Sequence, residues 1–367
     1  MTNAISLIDE LPPPIRTKAD LPFATSQLRP LRIGDLEIGF PVVQAALSGY
    51  SDGPMRIVAR RLGATYTLAE VMIDRFVLDL KDRSRTRRHL QVTDEEHPVG
   101  GQLMGADPEH FGPAARKLVA AGFDVIDINF GCPVKSAAGK SAAGKSGSGG
   151  CRGGFHLGQP DVALEIVSRV RDAVPSAIPV TLKMRRGIDD TEGSREDFFR
   201  ILDGAFARGV AAITVHGRTV AQKYNGPSNW DFLREVKQHA GPRTILGSGD
   251  LFTARACLDM LLYAGVDGVS VARGAIGNPW IFGQVKALAA GWPLPCPDIA
   301  EQRRVLEMQF ELCWAHDKPA GAMSTMRMFA IKFARMHPRH AEVRNAFAVV
   351  RSLEEWNRVL EQWYPVG

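Results

Sequence analysis

The chain holds 367 residues, 45% hydrophobic and 23% charged, a globular composition with room for about two domains at roughly 150 residues each. That excludes a largely disordered protein, and no apolar run approaches the ~18 residues that cross a bilayer. Cysteines at 132, 151, 257, 296 and 313 form no CxxC pair, which excludes a disulfide framework or zinc ribbon, and a net charge of +5 is too small for an architectural DNA binder.

Along the chain, residues 1–30 carry Pro12, Pro13, Pro14, Pro22 and Pro30 without lasting periodicity and are expected to form an irregular arm. They show no basic start, apolar stretch and small-residue cleavage site, so the expected location is cytoplasmic. LRIGDLEIGF (31–40) reads as a small hairpin with Gly34 and Asp35 in its turn, placed to plug the floor of a barrel.

Short apolar or β-branched runs then alternate with helical stretches. The strand candidates are PVVQAAL (41–47), ATYTLAEV (64–71), PVGGQLMG (98–105), VIDINFG (125–131), PVTLKMRRG (179–187), AAITVHGRT (211–219), TILGSGD (244–250) and GVSVARGA (268–275). Helices such as PEHFGPAARKLVAAGF and TARACLDMLLYAG run up to a glycine stop. Eight such units in ~250 residues predict an α/β chain closed into a (β/α)8 TIM barrel over 31–294, in preference to an open doubly wound sheet. Beyond Pro295 helical periodicity returns without strands, through EQRRVLEMQFELCWAHD to SLEEWNRVLEQWY, so 295–367 is expected to be a C-terminal all-helical domain.

In such a barrel the chemistry sits at the C-terminal ends of the strands, and these ends are polar. Gly-rich turns after the seventh and eighth strands, GSGD and ARGA, suit an anion met by backbone amides, the usual phosphate site of the fold. Lys183, inside the apolar run TLKM, needs a partner if it points inward, and a bound anion would be one. Gln102 and Asn129 supply neutral donors and acceptors at the same level, as a heteroaromatic ring with carbonyl and imide edges requires. His216 is placed to reach the ring or the phosphate. Cys132, in NFGCP just past the fourth strand, is expected to be reactive, as nucleophile or proton donor. The glycine-rich loop after it repeats SAAGK, and Lys135, Lys140, Lys145 and Arg152 put positive charge over the mouth of the site. Residues 81–90 and the series Arg327, Lys332, Arg335, Arg339 and Arg344 are further basic clusters that suit a phosphate backbone. No metal site is expected.

The segments PVVQAALSGYSD, GGQLMG, DINFGCPVK, TLKMRRG, TVHGRT, GSGDL and SVARGAIGNPW, in that order, resemble the tRNA-dihydrouridine synthases. The sequence departs from that family in reading AALSG for APMAG and GSGD for GNGD, and in its longer cysteine loop. The resemblance implies an FMN-containing barrel that reduces tRNA uridine to 5,6-dihydrouridine with NADPH as electron source, and a helical domain that grips tRNA. It implies that Ala46, Leu47 and Ser48 lie against the flavin, that Gln102 and Lys183 contact its ring, and that His216 approaches it. It further implies that Ser248, Gly249, Asp250, Ala272 and Arg273 hold the phosphate end, that Asn129 orients the uracil, and that Cys132 is the acid. Lys135, Arg152, Arg327, Lys332 and Arg335 are the expected tRNA contacts, on a monomer that partners neither DNA nor a membrane. The chemistry asked of Cys132 is plain: hydride at C6 leaves negative charge on C5 and O4, and an ordinary thiol, mostly protonated at neutral pH, can supply the proton to C5. Two other readings stay open on sequence alone, an FMN barrel that reduces a small pyrimidine or enone, and an RNA-binding barrel without catalysis.

Overall fold

The computed structural model describes residues 28–80, 90–133, 152–317 and 319–365. Residues 1–27 of the expected arm, most of the basic stretch 81–90 and the SAAGK repeat with Lys135, Lys140 and Lys145 lie outside them.

Two short antiparallel strands, β1 (Leu31–Ile33) and β2 (Leu36–Gly39), form the expected hairpin, turning at Gly34 with φ +60°. Leu31, Ile33 and Ile38 bury themselves with Val43, Tyr66, Leu68, Val125, Ala212 and Leu246, so the hairpin does close the barrel floor. A Cβ on Gly268 would stand 3.1 Å from the Leu31 side chain, which is why the last strand is bare where the plug enters.

Eight parallel strands come next: β3 (Val42–Gln44), β4 (Thr67–Ile73), β5 (Val99–Met104), β6 (Val125–Phe130), β7 (Val180–Arg185), β8 (Ala212–His216), β9 (Thr244–Ser248) and β10 (Gly268–Val271). They close in the order β10-β3-β4-β5-β6-β7-β8-β9. The expected TIM barrel is therefore the observed fold. The helices between them are α1 (Gly53–Arg61), α2 (Asp74–Asp79), α3 (Pro108–Ala120), α4 (Pro160–Ala173), α5 (Glu192–Ala207), α6 (Trp230–Ala240), α7 (Ala254–Ala264) and α8 (Ile281–Ala289). Local chemistry sets their ends: the carboxylate of Asp52 accepts from Met55 N at the start of α1, the Thr253 hydroxyl accepts from Ala256 N at the start of α7, and Gly265 in the left-handed conformation stops α7.

Alternation decides what each strand presents. In β6, Ile126, Ile128 and Phe130 join the large apolar layer under the helices, leaving Asp127 and Asn129 on the barrel interior. In β7, Val180, Leu182 and Met184 do the same, leaving Thr181, Lys183 and Arg185 inside. The ladder is shorter than the sequence predicts at its first strand: Ala45–Leu47 run on past β3 towards the mouth, and Ser51 Oγ holds Leu47 through its N–H at 2.8 Å.

After Pro297 come α9 (Ile299–His316), α10 (Pro319–Phe333), α11 (His340–Ala348) and α12 (Leu353–Trp363). Their apolar faces share a second core around Met326, Phe333, Phe347, Trp356 and Tyr364, which also takes in Val58 and Trp280 from the barrel. Helix α11 is an element that sequence periodicity alone does not separate. Among the described residues no helix is long and apolar enough to cross a membrane.

Candidate active site

The C-terminal mouth of the barrel collects the polar strand ends. Cys132 follows β6 by two residues and is half-buried. Its backbone is pinned from both sides: Cys132 N donates to Asn129 Oδ1 at 3.1 Å, and Cys132 O accepts from Gly154 N at 3.0 Å. Gly153, at φ +57°, has no space for a side chain, since a Cβ would lie 2.9 Å from Cys132 Cβ and 3.0 Å from Met104 Sδ. Arg185, buried at the top of β7, donates to Gly131 O at 2.8 Å and to Thr219 O at 2.9 Å, tying the cysteine loop to the loop after β8. Burial draws its guanidinium down to about 10.

Lys183 stands one inward position below Arg185. A Cβ on the neighbouring Gly131 would sit 3.6 Å from Lys183 Nζ, which places the ammonium against the cysteine loop. Burial lowers its pKa to about 8, the Arg185 charge adds to the fall, and Asp127 opposes it. Among the described residues Lys183 makes no hydrogen bond or ion pair, so this structure gives it no partner of its own.

His216 ends β8. Burial first, then the charges of Arg185, Lys183, Arg218 and Arg273, hold its imidazole well below the usual histidine range, so the ring is neutral at pH 7. Its Nδ1 accepts from Arg218 N at 3.2 Å, which puts the ring proton on Nε2. His216 is thus a neutral N–H donor at the mouth.

At the ends of β9 and β10, glycine is a steric requirement. Gly249 has φ +118° and a Cβ there would meet Ser228 Oγ at 2.3 Å, while one on Gly274 would meet Leu251 O at 1.9 Å. Arg273 projects over the rings of Tyr224 and Phe252, at 4.8 and 5.0 Å, and approaches an Asp250 oxygen only at 3.9 Å. Its guanidinium makes no hydrogen bond among the described residues. An ammonium without a partner, a guanidinium with its donors free and two bare glycine turns fit a ligand with an acceptor-rich ring and a phosphate.

The family model described as dihydrouridine synthase matches residues 43–364. This chain belongs to that family. Among curated relatives, a probable tRNA-dihydrouridine synthase of Mycobacterium tuberculosis is 31% identical over 342 residues, covering 90% of this chain and 84% of that one. tRNA-dihydrouridine synthase B of Escherichia coli is 31% identical over 338 residues, covering 91% and 99%. Among solved structures, a morphinone reductase mutant in complex with tetrahydroNAD aligns with a TM-score of 0.52 at 15% identity, over 74% of this chain and 92% of that one. At that identity the likeness carries the fold alone.

Most of the residues singled out from sequence do gather at this mouth, with differences in what they do. Ala46 and Leu47 are half-buried and Ser48 is exposed on the segment leaving β3. The Ser248 hydroxyl turns to the wall and donates to Ser270 O at 3.1 Å, and Ala272 directly follows β10. Asp250, expected at the phosphate end, commits its carboxylate to protein partners: both oxygens accept from Arg218 Nη2 at 2.8 Å and one also accepts from Ser228 N at 2.8 Å. Its φ of +59° shapes the turn, so what it offers an anion there is backbone. Arg335, expected on the tRNA surface, donates to Gly274 O at 2.7 Å and so ties the helical region to the loop after β10. Arg327 and Lys332 are half-buried on α10, with the Lys332 ammonium nitrogen itself buried and so withdrawn from the surface expected to meet tRNA, and Arg152 is half-buried at the return of the cysteine loop.

Sequence reasoning missed Asp127 and Thr181, and the partner of Arg218. The first two share the inward parity of Asn129 and Lys183 on β6 and β7, so counting alternate positions back from those residues would have found them. Nothing local marks the pairing of Arg218, because its partner Asp250 lies 32 residues away in the chain.

Proposed function

We propose that this chain reduces specific uridines of tRNA to 5,6-dihydrouridine, with FMN as cofactor and NADPH or NADH as electron source. We read it as a cytoplasmic monomer whose residues 31–294 carry the chemistry and 295–367 help to grip the tRNA. The observation that carries the reading is the half-buried Cys132 thiol, held on its loop beside the unpaired Lys183 ammonium at the barrel mouth. The relatives' names and the family membership support the substrate class.

Arg273 and the turns at Gly249 and Gly274 would hold the phosphate end of FMN. Gln102, Lys183 and His216 would meet its ring, with Ala46, Leu47 and Ser48 against it. FMN held there would supply the hydride for uracil C6. Cys132 Sγ then supplies the proton to C5, on which the negative charge has developed. The Lys183 ammonium neutralises charge on an acceptor edge of the ring without moving a proton. The Asn129 amide keeps one hydrogen for a base carbonyl. A tRNA uridine must leave its stack to reach this depth, at a cost of a few kcal/mol, which contacts from Arg152 and Arg327 would offset. Position-resolved mapping of dihydrouridine in tRNA from cells with and without this gene tests the reading: loss at defined positions is expected, and an unchanged map would refute it.

A further inference from the structure

Behind Cys132 runs a continuous chain of hydrogen bonds that starts deep in the barrel. Thr181 Oγ1 donates to Asp127 Oδ1 at 2.5 Å, and Gln102 Nε2 donates to Asp127 Oδ2 at 2.6 Å. Asn129 Nδ2 donates to Gln102 Oε1 at 2.7 Å. Asn129 Oδ1 in turn accepts from Gly131 N at 2.9 Å and Cys132 N at 3.1 Å. Asp127 and Gln102 are 2% and 1% exposed, so water does not stand in for a missing partner there.

The two ends of this chain have opposite polarity. A carboxylate only accepts, and backbone N–H groups only donate. Between them stand two side-chain amides, each able to present either an oxygen or an NH2. Only one arrangement of the pair satisfies every contact. Turning Gln102 over would set Oε1 against Asp127 Oδ2 and Nε2 against Asn129 Nδ2, two like-on-like contacts in a buried place.

We propose that Asp127 is a positioning residue for the cysteine loop: its carboxylate fixes the orientation of Gln102, which fixes that of Asn129, which holds the amides of Gly131 and Cys132. A second consequence concerns the ligand. With the chain set this way, what Gln102 and Asn129 have left to offer includes one amide hydrogen each, alongside the Lys183 ammonium and His216 Nε2–H. The site therefore presents a row of donors, suited to the carbonyl and ring-nitrogen acceptors of its ligands. The importance for turnover rests on the reading of Cys132 as proton donor, but the hydrogen-bond chain itself does not, and the two are tested separately.

The test is amide hydrogen exchange on the full chain without substrate, read on fragments spanning 125–133. Asp127→Leu removes both acceptors at similar volume, and exchange at Gly131 and Cys132 is expected to quicken about tenfold or more, while Ile126, bonded to Pro179 O, stays protected. Asp127→Asn still offers Oδ1 to Gln102 and its NH2 to the Thr181 oxygen, so protection near the wild-type level is expected. Unchanged exchange in the leucine variant, or equal loss in both, would overturn the proposal. Should the leucine variant not fold, reversing the polarity decides. Asn129→Asp forces Gln102 over against Asp127 and should lose protection, and adding Asp127→Asn supplies the donor that Gln102 Oε1 then needs and should restore it. No restoration refutes the proposal. Dihydrouridine formation measured on the same variants is a separate readout: preserved exchange behaviour with absent turnover in the wild type would strike the proposed function and leave Asp127 in its place.

Discussion

Lys183 is held in the barrel at a cost that its substitution should expose. Its pKa falls from 10.5 to about 8 in the folded chain, and at 1.36 kcal/mol per unit the folded state carries up to about 3 kcal/mol of penalty for keeping it charged. At pH 7 both folded and unfolded chains hold the proton, so the whole penalty is present. As pH rises through 8 the folded chain releases it first, and by about 10.5 the penalty is relieved. Lys183→Met keeps the length of the side chain and removes the charge. The cofactor-free variant should therefore be more stable than wild type at pH 7 by up to about 3 kcal/mol, with the gap closing towards pH 10. In urea unfolding, at a slope of roughly 3 kcal/mol/M, that is a midpoint about 1 M higher. Adding FMN should reverse the order, because wild type gains RT ln(1 + [L]/Kd) and the variant gains less. A variant that is less stable than wild type at pH 7, or a gap that ignores pH, would refute the reasoning.

Two other changes probe the phosphate end. Asp250→Ala leaves the Arg218 guanidinium, 2% exposed beside its carboxylate partner, without a counter-charge, and should cost about 3–5 kcal/mol of unfolding free energy; a loss under about 1 kcal/mol in denaturant titration would show that the pair is not holding the turn. Gly274→Ala drives a Cβ to 1.9 Å from Leu251 O, so a destabilisation of about 1–3 kcal/mol with weakened FMN retention is expected. Equal flavin content after dialysis would remove that turn from the cofactor site.

The barrel was legible because eight β-branched runs alternate with glycine-stopped helices, and because Gly34 announces the hairpin under its floor. The mouth was legible because Cys132, Lys183, His216 and the GSGD and ARGA turns each stand at a strand end. What local patterning did not carry was partnership across strands. Asp127 looks like one more polar residue in VIDINF, and its meaning emerges only when β5, β6 and β7 lie side by side and Gln102, Asn129 and Thr181 surround it. Asp250 likewise reads as a loop acid in GSGD until Arg218, from the loop after β8, closes on it. Arg335 reads as surface charge until the turn after α10 brings it against Gly274 O. In each case closure of the barrel, or packing of the helices on it, makes the pair.

Dihydrouridine formation by the purified chain, supplied with FMN, NADPH and unmodified tRNA, is the most direct test. Wild type should convert uridine at defined positions, and Cys132→Ala should stay yellow, bind tRNA and form almost none. Equal conversion by the two proteins, or a wild-type chain that takes up no flavin, would contradict the account.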